Sequence, residues 1–417
     1  LLGLNCPEIH VCGGMEGAVL VRALAEEIGD DFELKEYQRK TELVCAEQSL
    51  NNSYKNVQPG DAIVAFSRKD IFSIKREIES KTPHKCCVIY GSLPQETRAH
   101  QARLFNAEGT GYDVLVASDA IGMGLNLNIR RVVFHSVSKR ANGGRGSIKL
   151  PPTMLKQIGG RAGRHGKGYE FGEVTCLKAM DMAYMTHVMN TPLESIPQAG
   201  IFPGVERMQE FSNTLDKTEP EAQERRRLAE TFAAFADEAI VSRRYFLGTH
   251  DQHQALANAM HPIENLTLKE RYAISMAPVN GKNALLVRAI FLFAKAHAAG
   301  LPVFINLQLP LKGVLPRSMQ EFQTLCSKHN VLDLYKWMGV RFPSIECFAE
   351  KSVAEMQRLE LESIISAALK KDIAVAGPNV GGNHDSHDAR VLKTLSSPIV
   401  SNGFSTMEAG GEGGGEE

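Results

Sequence analysis

Short apolar runs alternate with amphipathic helical patterns over about the first 190 residues of this 417-residue chain. In the helical stretch 69–79, Ile71, Ile74 and Ile78 lie on one face, and a second helical stretch covers 94–106. Strands that alternate with helices at this spacing predict βαβ units, and therefore an α/β domain whose parallel sheet is flanked by helices. The predicted strands cover 8–12, 32–37, 62–66, 86–90, 114–117, 131–135 and 173–177.

Beyond about residue 190, the apolar strand runs disappear and helical patterns dominate. Three Ser/Thr-x-x-Glu capping boxes predict helix starts at Thr267, Ser318 and Ser352. The Gly- and Glu-rich segment 372–417 buries too little apolar surface to offset its ordering entropy, so we expect it to be disordered. The sequence therefore predicts an α/β domain followed by an all-α C-terminal region and a disordered tail.

The net charge of −1 excludes a globally basic nucleic-acid-binding protein, but the charge is unevenly distributed. No Asp or Glu occurs in the 49 residues 120–168, which we term the acid-free stretch. Such a stretch in a neutral protein predicts a surface that faces a polyanion; the alternative is a chance cluster on a solvated face. Its ten basic residues are Arg130, Arg131, Lys139, Arg140, Arg145, Lys149, Lys156, Arg161, Arg164 and Lys167.

Within the acid-free stretch, the string QIGGRAGRHG at 157–166 places Arg161 and Arg164 three residues apart. On a helix, this spacing puts both side chains on one face. Two neighbouring guanidinium groups suit the spread negative charge of a phosphoryl group in transfer. The alternative is a glycine-rich surface turn with two solvated arginines.

Hydroxyl groups and glycines follow three of the predicted strands. They are Ser67 with Arg68 after 62–66, Gly91 with Ser92 after 86–90, and Ser118, Gly122 and Gly124 after 114–117. Because functional loops gather at the carboxyl ends of parallel strands, these residues predict a surface that follows a phosphate backbone without reading bases. After the last strand, the alternative is an ordinary turn in which Asp119 caps the next helix.

A phosphate-gripping loop of the form GxxxxGK followed by Ser or Thr does not occur in the sequence. The acidic string at 237–240 lies in a helical pattern rather than after an apolar strand, so we interpret it as solvated helix charge. The eight cysteines form no CxxC pair, and the sequence predicts no metal site. It predicts no membrane span either, because its longest apolar stretch is interrupted by charge.

Two strings, SDAIGMGLNL at 118–127 and QIGGRAGRHG, resemble motifs V and VI of superfamily 2 helicases. Together with YGSLP at 90–94 and LDLYKWMGVRFP at 332–343, they resemble the mitochondrial degradosome ATP-dependent RNA helicases of the Suv type. The resemblance extends over about residues 1–371 and implies five segments. These are a remnant of a first RecA-like domain (1–30), a complete second RecA-like domain (31–190), a helical domain (191–330), a C-terminal helical segment of the family (331–371) and the tail (372–417).

The resemblance also implies roles for individual residues. Arg161 and Arg164 would be arginine fingers acting on ATP, with Gln157 near the γ-phosphate and its attacking water. The nucleotide would be approached by Gly122, Gly124 and Asn126. The RNA backbone would be contacted by Ser67, Arg68, Gly91, Ser92 and Ser118. ATP and Mg²⁺ would be held mainly by a first RecA-like domain, which we expect to lie upstream of Leu1.

The implied activity is that of an ATP-dependent 3′–5′ RNA helicase acting on single-stranded or 3′-tailed RNA. The implied partner is an exoribonuclease of the mitochondrial degradosome, and the implied location is the mitochondrial matrix, with the nucleus as the alternative. Two other functions stay open on the residues alone. One is a non-catalytic RNA-binding or scaffold protein, and the other is a DNA helicase of the same superfamily.

Overall fold

The structure, a computed structural model, divides into two compact units. One comprises Leu1–Ile201 with Val241–Leu247, and the other comprises Phe202–Ile240 with Gly248–Glu417. The five segments expected from the sequence stay a prediction. The structure describes residues 3–141, 146–166, 169–218, 228–248, 251–305, 307–311, 313–343, 346–371 and 404–406.

The first unit contains five helices and ten strands within its described residues. The helices are α1 (Met15–Ile28), α2 (Arg68–Lys81), α3 (Gln95–Asn106), α4 (Pro152–Gly159) and α5 (Ala179–Asn190). The strands are β1 (Glu42–Cys45), β2 (Asp61–Val64), β3 (Cys86–Ile89), β4 (Val114–Ala117), β5 (Arg131–Phe134), β6 (Ser138–Arg140), β7 (Ser147–Lys149), β8 (Phe171–Cys176), β9 (Ala199–Ile201) and β10 (Tyr245–Leu247). Short 3-10 helices cover Tyr54–Asn56 and Asp119–Gly122.

Six of these strands form one sheet in the order β1-β8-β5-β2-β4-β3, and every neighbouring pair is parallel. Every residue of β2, β3, β4 and β5 is buried, as expected for strands covered by helices on both faces. On α2, Ile71, Ile74 and Ile78 are buried, which confirms the predicted apolar face. The predicted α/β class is therefore confirmed.

Two of the predicted strands are wrong, and one strand of the six-stranded sheet was missed, as were the short strands β6, β7, β9 and β10. Residues 8–12 and 32–37 have no strand structure. In the second of these, Tyr37 remains 87% exposed, so its apolar side chains join no core. The missed strand, β1, lies at the edge of the sheet and is only partly buried, which leaves its four residues without a continuous apolar signal.

The second unit is largely helical. Its helices are α6 (Val205–Thr218), α7 (Leu228–Glu238), α8 (Asp251–Met260), α9 (Leu268–Ser275), α10 (Ala284–Ala299), α11 (Met319–Arg341) and α12 (Lys351–Lys370). Phe293, Tyr335 and Phe348 pack edge to face at its centre, with ring centroids 5.3–5.8 Å apart. This arrangement confirms the helical C-terminal region. The acidic pair 237–238 is exposed at the end of α7, in agreement with its interpretation as solvated helix charge.

The predicted helix starts vary in accuracy. Thr267 forms the complete capping box with Glu270, and Ser318 caps α11 by accepting from the Glu321 N–H. The prediction for Ser352 is wrong, because α12 already begins at Lys351. The C-terminal region was expected to be all-α, but it also contains strands. Two short ones, β11 (Val303–Ile305) and β12 (Phe404–Thr406), pair antiparallel in the second unit.

The predicted disordered tail, 372–417, lies outside the described residues except for β12. Among the described residues, no helix combines the length and the apolar character needed to cross a membrane.

Candidate functional site

The two arginines singled out by the sequence lie in a loop rather than on a helix. Helix α4 ends at Gly159, and Gly160 is its C-cap, so the expectation of a shared helix face is wrong. Glycine weakens a helix, and Gly163 adopts a φ of +71°, which a helix cannot accommodate. We call residues 160–164 the arginine loop.

Both guanidinium groups in the arginine loop are oriented by neutral oxygen atoms. Arg161 donates from Nε to the carbonyl oxygen of Gly122 over 2.9 Å, and its Nη2 donates to the same oxygen. Arg164 donates from Nη1 to Oδ1 of Asn128 over 2.8 Å. Because neither acceptor carries a charge, neither hydrogen bond compensates the positive charge of its arginine.

Gln157 and Gly122 also lie together. Gln157 is exposed on α4, and a Cβ placed on Gly122 would be 3.5 Å from the Gln157 side chain. Gly124 has a φ of +74° and open space around it, while Asn126 is exposed. The structure thus brings Gln157 and Arg161 to the loop that contains Gly122.

The strand ends predicted to form one surface are neighbours in the sheet. β4 lies between β2 and β3, and the Ser118 N–H donates to the carbonyl oxygen of Ile89 over 2.9 Å. Ser67 and Ser118 each accept a backbone N–H through the side-chain oxygen, from Asp70 and Ala120 respectively, at 3.1 Å. The cap of the turn after β4 is therefore Ser118 rather than Asp119. A serine that accepts in this way still has its O–H available to donate.

The remaining strand-end residues are open to solvent. Arg68, Gly91 and Ser92 are all exposed. A Cβ on Gly91 would meet no protein atom within 4 Å. A ligand backbone could therefore approach this turn closely.

Two basic residues of the acid-free stretch do not contribute to such a surface. Arg130 and Arg131 contact Asp61, whose carboxylate is fully buried, at 2.8 and 2.7 Å, and both lie near Glu173. Asp61 and Arg131 are the first residues of their strands, so this ion-pair cluster lies at the amino ends of the strands. For these arginines, the expectation of a polyanion-facing surface is wrong.

A basic hairpin, β6–β7, follows the carboxyl end of β5. Its base is fixed by a bond of 2.9 Å from the Leu150 N–H to the carbonyl oxygen of Val137, and both side chains are fully buried. Within the described residues, the side chains of Lys139 and Arg140 have no acidic partner, and Lys149 lies over the Tyr184 ring. Arg145 and Lys167 lie outside the described residues.

One histidine beside the hairpin adds no charge to it. His135 follows β5, and its Nδ1 lies 2.6 Å from the Tyr54 hydroxyl. Burial lowers the pKa of His135, so the ring is largely neutral at pH 7.

Three family profiles match the chain. The helicase conserved C-terminal domain matches residues 40–166, the Suv3 C-terminal domain 1 matches 255–298, and the ATP-dependent RNA helicase SUV3 C-terminal domain matches 322–371. The chain belongs to the SUV3 helicase family.

Curated SUV3-type relatives match most of this chain. The mitochondrial DExH-box ATP-dependent RNA helicase DExH18 of Arabidopsis thaliana is 37% identical over 89% of the chain and 46% of its own length. The mitochondrial ATP-dependent RNA helicase SUV3L of Oryza sativa subsp. japonica is 38% identical over 89% of the chain and 49% of its own length. The mitochondrial ATP-dependent RNA helicase SUPV3L1 of Homo sapiens is 34% identical over 88% of the chain and 46% of its own length. The chain thus spans about half the length of these relatives.

Sequence reasoning missed the residues that orient the site through its backbone. Asn106 accepts from the Asn128 N–H and donates to the Asn126 carbonyl oxygen, both over 2.8 Å, and so fixes the loop that holds Arg164. Arg39 contacts the arginine loop and lies one residue before the helicase profile begins. Neither residue stands in a recognisable motif, and their acceptors are mostly main-chain atoms, so the sequence carries no signal for them.

Proposed function

We propose that the complete protein is an ATP-dependent RNA helicase, to which this chain contributes the second RecA-like domain and the helical C-terminal region. The observation that carries the proposal is the course of residues 118–128. This segment begins at Ser118 among the strand ends and then supplies Gly122 and Asn128, the acceptors for Arg161 and Arg164. One short segment therefore joins the candidate RNA contacts to the candidate ATP contacts.

At the ATP side, two charged guanidinium groups and the Gln157 amide form a set of hydrogen-bond donors. Such donors suit the oxygen atoms of a triphosphate, so the residues fit ATP. The acid-free stretch has no carboxylate for Mg²⁺, and by the family resemblance Mg²⁺ and most of the nucleotide would be held by a first RecA-like domain. Arg161 and Arg164 stabilise the charge of the transferring phosphoryl group, while Gly122, Gly124 and Asn126 lie along the nucleotide.

At the RNA side, Ser67 and Ser118 donate their hydroxyl hydrogens to phosphate oxygens, and Gly91 and Ser92 let the backbone approach. Arg68 and the hairpin β6–β7 add positive charge. None of these groups distinguishes one base from another, which suits a helicase that must travel along any sequence. RNA binding should therefore be tolerant of sequence and sensitive to salt.

The finer proposals follow the family. We propose 3′–5′ movement on single-stranded or 3′-tailed RNA, delivery of RNA to a partner exoribonuclease, and a location in the mitochondrial matrix, with the nucleus as the alternative. The relatives are named as mitochondrial helicases, which supports this organelle.

The test is ATP hydrolysis and duplex unwinding by the complete protein. We expect RNA to stimulate hydrolysis more than DNA of the same sequence, and a 3′-tailed RNA duplex to be unwound faster than a 5′-tailed one. Stronger stimulation by DNA would instead support a DNA helicase. RNA binding without any hydrolysis would support a non-catalytic scaffold and overturn the proposal.

A further inference from the structure

Arg39 binds the main chain of the arginine loop from a position about 120 residues away in the sequence. Its Nη1 donates to the carbonyl oxygen of Gly160 over 2.7 Å, and its Nη2 donates to that of Ala162. Its Nε donates to the carbonyl oxygen of Thr41 over 2.6 Å, just before β1. One guanidinium group thus ties the start of the sheet to both sides of Arg161.

The acceptors are groups that need a donor. Gly160 caps α4, and the last carbonyls of a helix have no partner within it and carry partial negative charge. A planar guanidinium can serve several carbonyl groups in fixed directions, which a lysine ammonium cannot do. Burial of the guanidinium lowers the pKa of Arg39, although the group stays charged at neutral pH.

The other side of the arginine loop is held by backbone packing. The Gly163 N–H donates to the carbonyl oxygen of Ile129 over 2.8 Å. A Cβ on Gly163 would come within 2.5 Å of Gly172 in β8, so the two chains touch through their glycines. The N–H groups of residues 160–162 donate to carbonyl groups within residues 156–159, whereas the carbonyl groups of Gly160 and Ala162 are bound by Arg39.

We propose that Arg39 is a positioning residue for the two arginine fingers. By binding the carbonyl groups on both sides of Arg161, it fixes the backbone from which Arg161 and Arg164 reach Gly122 and Asn128. Arg39 itself touches neither ATP nor RNA. The inference rests on the proposed function, because it assigns Arg39 to the ATP-hydrolysing machinery.

The first experiment is a double-mutant cycle on RNA-stimulated ATP hydrolysis by the complete protein. We expect Arg39→Ala to lower kcat about 10- to 100-fold, since displacement by about 1 Å can have that effect, and to change the KM for ATP and RNA affinity less than twofold. Arg39→Lys should recover only part of the loss. In the Arg161→Ala/Arg164→Ala background, Arg39→Ala should lower kcat further by less than twofold, because neither finger remains to be positioned there.

The matched control is Arg22→Ala. Arg22 lies in the same N-terminal segment and contacts only the Phe32 ring among the described residues, at 5.2 Å from its centroid. We expect its kcat to be unchanged. A full additional loss in the Arg161→Ala/Arg164→Ala background would show that Arg39 acts on folding in general and would overturn the inference.

A second measurement is independent of catalysis. Amide hydrogen exchange should become faster at residues 160–164 in Arg39→Ala and Arg39→Lys, while β2 and β4 exchange as in the wild type. Unchanged exchange in the arginine loop would overturn the inference whatever the activity. If Arg39→Ala has a normal kcat while Arg161→Ala is inactive, the positioning role of Arg39 is overturned and the proposed function stands. If Arg161→Ala itself has a normal kcat, the proposed function is overturned as well.

Discussion

Two pairs of arginines from the same acid-free stretch meet opposite fates in the fold. Arg130 and Arg131 are neutralised by the buried carboxylate of Asp61, with Glu173 beside them. Arg161 and Arg164 bind a carbonyl and an amide oxygen, which orient a guanidinium group without cancelling its charge. The charge of the acceptor, rather than the arginine itself, separates a structural role from a role with a ligand.

The largest effect is expected from removing a charge that has no acidic partner. In the complete protein, Arg164→Ala should lower RNA-stimulated ATP hydrolysis by about 10³-fold or more, because arginine fingers contribute on that scale. Its midpoint of urea unfolding should hardly move, since only one hydrogen bond, to a neutral amide oxygen, is lost. Arg103→Ala, an exposed arginine on α3, serves as the control and should leave both quantities unchanged. Retained turnover in Arg164→Ala would show that the finger assignment is wrong.

The reverse effect, a loss of stability with activity retained, is expected where Asp61 neutralises Arg130 and Arg131. Asp61→Asn removes the nearer and fully buried charge partner of Arg131, whose side chain is only 10% exposed, and leaves Glu173 at 3.5 Å. Breaking a buried pair costs about 3–5 kcal/mol. We expect a lower free energy of unfolding, while kcat per folded molecule stays close to the wild-type value.

The control for this substitution is Asp113→Asn. Asp113 precedes β4 as Asp61 begins β2, but its side chain is 35% exposed beside His84, and such pairs contribute at most about 1 kcal/mol. Equal destabilisation by the two substitutions would mean that burial does not distinguish the two sites.

The comparison can be sharpened by converting one kind of acceptor into the other. Asn128→Asp would place a carboxylate against Arg164 and so reproduce the environment of Arg130. We expect hydrolysis to fall about tenfold, because a carboxylate adds a Coulombic attraction to Arg164 that the amide lacks, and this attraction competes with phosphate. Asn213→Asp on α6 introduces the same charge at an exposed position and should have no effect. Unaltered kinetics in Asn128→Asp would show that acceptor charge is unimportant here.

The sequence predicted what depends on local pattern and missed what depends on distant or main-chain partners. The apolar strands β2 to β5 and the Arg161–Arg164 pair could be recognised from their own residues. Arg130 and Arg131 were misassigned because Asp61 lies about 70 residues earlier in the chain. The acceptor of Arg161 is a carbonyl group, which every residue has, so no residue type could have marked it. Arg39 was missed for the same reason.

A third group of basic residues has no acceptor of either kind among the described residues. Lys139 and Arg140 lie on β6, in a hairpin held firmly at its base by Val137 and Leu150. Without a protein partner, their charge is available to phosphate groups. Replacing both with Ala should weaken RNA binding several-fold and reduce the slope of log affinity against log salt by about 1.4, at roughly 0.7 per lost contact with single-stranded RNA.

The control for the hairpin is Lys156→Ala, because Lys156 already donates to the carbonyl oxygen of Met189 over 3.0 Å. Its salt slope should match that of the wild type. An equal decrease in slope for Lys156→Ala would mean that RNA senses the total charge of the acid-free stretch. A decrease confined to the hairpin variant would mean that RNA senses those basic side chains that have no acceptor among the described residues. The acceptor would then distinguish all three groups of basic side chains. Beside a carboxylate their charge is compensated, and beside a neutral oxygen the side chain is oriented with its charge intact. Where the described residues offer no acceptor, the charge is available to phosphate groups.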